Sequence, residues 1–123
     1  MASDLPSVFT EGVRLFNAGE YFEAHEAFEE QLDAVENDGR WDLLVALIQV
    51  AVGYHKCASG HPGDERMLRM GAEKLAAFAD VVWGIDVAAL RRRTAEDVAV
   101  LAAGGSLAQR LTDAPPRIDT VRA

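Results

Sequence analysis

RWDLLVALIQVAVGYHKCAS, residues 40–59, decides the architecture. Between Leu43 and Gly53 its one polar residue is Gln49. A helix that is apolar almost all round belongs at the centre of a bundle, where neighbours cover every side. The apolar run from Leu43 to Tyr54 is too short to cross a bilayer, so it predicts a buried core helix. Asn37-Asp38-Gly39 precedes it and Gly60-His61-Pro62-Gly63 follows it, and both are turn signals.

Working outward, the flanking sequence also divides into helices. A first helix begins near Pro6, with Ser3 or Asp4 as its cap, and places Leu5, Val8, Phe9, Gly12, Leu15 and Phe16 on one stripe before Gly19 stops it. A second, from about Glu20 to Glu36, turns Tyr21, Ala24, Phe28, Leu32 and Val35 inward. Downstream, Asp64 can cap a fourth helix that carries Met67, Leu68, Gly71, Leu75, Phe78 and Val82 to a stop at Gly84. Asp86 can cap a fifth that runs to Gly104-Gly105, and the spacing of Thr94 and Asp97 suggests a second capping box and a break within it. Ser106 and Gln109 open a last short turn, and Ala114-Pro115-Pro116 ends helical order. No stretch alternates long enough for a strand. The expectation is an all-α, compact bundle of about five helices in antiparallel hairpins with no sheet. Residues 1–112 form its single domain and 113–123 an extended tail.

The composition fits one globular domain, with 123 residues, 50% of them hydrophobic and 26% charged. Twenty acids against 12 bases give a formal charge of -8. Such a chain repels phosphate, which excludes nucleic acid and membrane surfaces as expected partners. Lys56 and Lys74 are the only lysines, a balance compatible with a salt-loving or high-GC source. Cys57 stands alone, so disulfides and cysteine zinc clusters are excluded, and it reads as a small buried hydrophobe. Met1 to Pro6 lacks a basic and apolar leader pattern, so the expected location is cytoplasmic.

Histidines mark the candidate site. At about 100° per residue, His25 falls about 40° from Tyr21, inside the apolar stripe of the second helix, and Glu29 lies one turn further on at its edge. On the third helix His55 falls about 20° from Leu44, in the middle of the buried stripe. His25 lies fourteen residues before Gly39 and His55 sixteen after it. In an antiparallel hairpin those offsets set the two at similar heights. Two imidazoles and a carboxylate suit a divalent metal, zinc, iron or manganese, with positions left open for water or substrate. His25, Glu29 and His55 are therefore the candidate ligands, with Glu26, Gln49 and Tyr54 around them. The plainer reading is that His25 is a core histidine bonded to Glu29 or Gln49, with His55 packed separately. Zincin and di-iron motifs do not fit, because Glu29 and Phe22 stand where a second histidine and an acid are needed. His61 reads as a surface residue of a turn, and Arg91-Arg92-Arg93 as a solvated face or a partner for acids of this chain.

Two resemblances follow from these residues. Gly19-Glu20-Tyr21-Phe22-Glu23-Ala24, with Ala27, Phe28 and Leu32, is similar to one helical hairpin of a tetratricopeptide repeat, but no period of repeats recurs. The stretch from Phe16 to Glu26, that from Leu47 to His55, and Pro115-Pro116-Arg117-Ile118 together resemble domain-of-unknown-function family 309. That resemblance implies a small helical protein with an H-x-x-x-E-x-x-[WY] motif suspected of binding metal. His25 and Glu29 match its first two positions, and Leu32 stands where the aromatic belongs. No reaction comes with the resemblance. Two functions stay open: a metal or polar pocket between helices two and three, with metal-assisted hydrolysis as the reaction class, or a non-catalytic module. The module would bind a protein or a second copy through Tyr21, Phe22, Trp41 and Trp83.

Overall fold

The computed structural model describes residues 5–35 and 38–121. The caps expected at Ser3 and Asp4, the end of the second helix at Glu36 and the first turn residue, Asn37, lie outside them. Six helices follow in order: α1 (Ser7–Asn17), α2 (Tyr21–Glu30), α3 (Gly39–Ser59), α4 (Asp64–Leu75), α5 (Val87–Ala102) and the short α6 (Ala108–Asp113). The fold is an all-α bundle, as its periodicity requires.

α3 is the central helix. Leu43, Leu44, Ala46, Leu47, Val50, Ala51 and Tyr54 on it are all completely buried. It packs against α2 on one side and α4 on the other. Asp38 caps its start by accepting from the Arg40 N–H at 2.9 Å. Phe9, Phe16 and Phe28 from α1 and α2 complete the core.

Five expectations are corrected. The second helix tightens after Glu30 into a 3₁₀ turn at Leu32–Val35, so Leu32 leaves the α-helical stripe. The fourth helix ends at Leu75 instead of running to Val82. In its place the chain forms a small antiparallel hairpin, β1 (Val81–Val82) and β2 (Ile85–Asp86), so the domain does contain a sheet. Val81, Val82 and Ile85 are β-branched, and Trp83 and Gly84 both take positive φ (46° and 77°), the backbone of a two-residue hairpin turn. Gly84 thus turns a hairpin; it does not stop a helix. Finally, α5 runs unbroken through Thr94 and Asp97 because both side chains are engaged elsewhere. The Thr94 hydroxyl donates to the Arg91 carbonyl, and Asp97 faces the core.

The tail is extended and docked. Asn17 clamps the backbone of Ile118 from both sides, donating to its carbonyl at 3.0 Å and accepting its N–H at 2.8 Å. Val121 donates to the Gly84 carbonyl at 2.7 Å, and Asp86 to the Asp119 carbonyl at 2.9 Å, so the tail lies along β2. Ile118 is buried as a result.

Candidate functional site

His25, His55 and His61, all the histidines of the chain, line one open pocket of about 220 Å³ with Phe22, Val52 and Lys56. The hairpin of α2 and α3 supplies the first two at a common height, which the residue offsets from Gly39 anticipate. Phe22 links them: its ring centroid lies 4.8 Å from that of His25 and 5.1 Å from that of His55.

His61 arrives by a different route. α3 ends on Gly60, whose φ of 71° needs the left-handed region. The His61 N–H then donates back to the Lys56 carbonyl at 3.0 Å, the long bond of a Schellman cap. This folds His61 along the last turn, where its ring stacks on His55 at 6.0 Å. Sequence reasoning missed this residue. The available signal was the glycine itself, because the residue after a left-handed cap returns towards the helix.

Hydrogen bonding orients two of the rings. His25 Nδ1 lies 2.5 Å from the Phe22 carbonyl, which can only accept, so Nδ1 carries the proton and Nε2 keeps a lone pair. Ser59 donates its hydroxyl to the His55 carbonyl at 2.7 Å and lies 2.6 Å from His61 Nδ1. With the hydroxyl turned to that carbonyl, Ser59 accepts from His61 Nδ1, and Nε2 of the neutral ring is then left unprotonated. A ring nitrogen fixed by its own N–H is the usual arrangement behind a ligating or basic imidazole.

Glu29 is at the rim. Its carboxylate is exposed and stands 3.7 Å from His25 Nε2, too long for a hydrogen bond. Two ligands that share a tetrahedral ion through bonds of about 2.0–2.2 Å stand roughly 3.5 Å apart, so this pair fits one edge of such an ion. Among the described residues no three His, Cys, Asp or Glu side chains stand close enough to hold a metal as they are placed. The other expected members are not brought in. Glu26 lies with Glu29 and Glu30 on an outer acidic face. Gln49 leaves its carbonyl oxygen buried without a partner. Tyr54 points to the opposite side of α3, where its hydroxyl donates to Asp97 at 2.6 Å.

Tyr21 is buried against Phe16 and Tyr54, so it offers little to a contact surface. Cys57 is inert for a physical reason. Burial first, then the charges of Asp64 and Asp97, push its thiol up to about 12. At pH 8 only about one molecule in ten thousand then carries the thiolate. We expect a thiol reagent to label native Cys57 at a small fraction of the rate seen in denaturant. Equal rates in the two states would contradict this placement.

Residues 9–68 match the model of a domain of unknown function, DUF309. The matched segment runs from α1 into α4 and contains His25, Glu29, His55 and His61. No curated protein matches the chain.

Proposed function

Because residues 9–68 make the chain a member of the DUF309 family, whose description names no reaction, we propose a function from the pocket alone: binding of a divalent zinc, iron or manganese ion between α2 and α3. The observation that supports this is the convergence of all three histidines on one open pocket, with the Nδ1 proton of His25 held by the Phe22 carbonyl and its Nε2 turned to Glu29. His25 Nε2 and Glu29 would hold the ion, and rotation of the His55 or His61 ring would add a third ligand. A bound ion with open positions acidifies a water molecule, so metal-assisted hydrolysis is the reaction class. The chain's own contribution is to orient His25 through the Phe22 carbonyl and to present a ring wall at Phe22.

The test is a titration of tag-free protein with zinc, iron(II) or manganese, followed by calorimetry and metal analysis. We expect about one ion per chain. His25→Ala should weaken uptake by tenfold or more, because it removes a ligand rather than a supporting contact. Uptake should fall as the pH is lowered, since protons compete for imidazole and carboxylate. Absence of bound metal under saturating ion, or His25→Ala without effect, would sink the proposal.

A further inference from the structure

A second pocket lies at the other end of α3, about 20 Å from the histidines at 1.5 Å per residue. It is a groove of about 350 Å³ between the start of α3, the end of α4 and the hairpin. Trp41, Val45, Phe78 and Trp83 form its walls, and it holds both tryptophans of the chain. Asp42 and Lys74 also line it, exposed, and neither makes a side-chain hydrogen bond or ion pair with any described residue.

Trp83 is the informative residue. It occupies the first position of the hairpin turn with φ at 46°, where L side chains are strained and asparagine or glycine would fit. Its indole is nevertheless kept at the groove wall, against Gly39, where an added Cβ would stand 3.1 Å from the ring. Local turn chemistry is sacrificed to hold a flat aromatic surface that is still 38% exposed.

We propose that this groove binds a small zwitterion with an aromatic body, of the chemical class of a free aromatic α-amino acid. The indoles and Phe78 take the flat apolar body. Lys74 pairs with the carboxylate. Asp42, on the same groove, takes the ammonium. A volume of this size suits a ligand of that kind. The two opposite charges on an otherwise apolar lining select for both ends together, which a ligand with one charge cannot satisfy.

Calorimetry and tryptophan emission should show saturable binding of L-phenylalanine at millimolar concentration. N-acetyl-L-phenylalanine and L-phenylalanine amide, each lacking one charge, should bind about tenfold more weakly or worse. Lys74→Met should remove the preference for the free carboxylate, and Asp42→Asn that for the ammonium. Trp83→Asn should lose binding, and because the indole also packs on Phe9 at 6.3 Å, the melting temperature will reflect lost burial as well as turn relief. A merely structural Trp83 would leave L-phenylalanine binding intact at temperatures where the variant is folded. No response to L-phenylalanine, or equal binding of either derivative (the signature of a peptide terminus), would overturn the proposal.

Discussion

Replacing Asp97 with alanine should destabilise the protein by about 3–5 kcal/mol, the usual cost of removing one partner from a buried ion pair. Asp97 is completely buried on α5. One carboxylate oxygen accepts from Tyr54 at 2.6 Å and from Arg93 Nε at 2.7 Å. The other lies 3.2 Å from Arg110. Burial above all, then the bond to Asp97, pushes the Tyr54 phenol far above its ordinary value, so it remains a donor at every working pH. Without the carboxylate, the buried Tyr54 phenol and the largely covered Arg93 guanidinium would lose the acceptor they share. Arg93 already has one buried nitrogen, Nη2, without a partner. The loss would lower the melting temperature by on the order of 10–20 °C for a chain of this size. Tyr54→Phe removes only one donor and should cost about 1 kcal/mol. Thermal unfolding of both variants checks the ordering. A change below about 1 kcal/mol for Asp97→Ala would mean that the network adds nothing to stability.

How far the sequence could be read depended on how local each cause is. α3 was legible because an all-round apolar helix has only one stable location. That His25 and His55 line one pocket was suggested by their offsets from Gly39, although α2 ends at Glu30 and a 3₁₀ turn stands between it and α3. Asp97 was not. Its spacing from Thr94 imitates a capping box, while its partners Tyr54 and Arg110 lie 43 residues before it and 13 after it. The hairpin was hidden for a related reason. Phe78 and Val82 continue the helical period of α4 by coincidence, and Gly84 reads equally as a helix stop or a turn. Pairing with β2 and the docked tail decides between them, and that is tertiary information. Glu29 illustrates the limit of a helical wheel. The wheel correctly puts it one turn from His25 at the stripe's edge, but cannot say that the edge is open to solvent.

Introducing a methyl group at Gly53 should also be strongly destabilising. A Cβ there would stand 2.8 Å from both Cα and N of Leu68, so α3 and α4 touch backbone to backbone. Gly71 makes the reciprocal approach from α4, where a Cβ would meet Val50 Cγ2 at 2.7 Å and the Val50 nitrogen at 2.9 Å. The two glycines therefore form one seam. Alanine would gain about 1 kcal/mol of helix propensity. It would also force the helices apart along a fully packed core, and overpacking commonly costs 1–3 kcal/mol and at times more. Because the obstacle is main chain, no rotamer can yield, so we expect a net loss of about 2–3 kcal/mol for Gly53→Ala and more for Gly53→Val. Gly12 provides the contrast, since a Cβ there would overlap the Phe28 ring, which is side chain. Trimming that ring with Phe28→Leu should recover part of the loss in Gly12→Ala. Trimming Leu68 to alanine should recover none of the loss in Gly53→Ala, and denaturant unfolding of the two double variants separates the cases. Rescue at Gly53 by Leu68→Ala would show that the helices can part without cost. The seam would then not be what sets the position of the α3 end that carries His55.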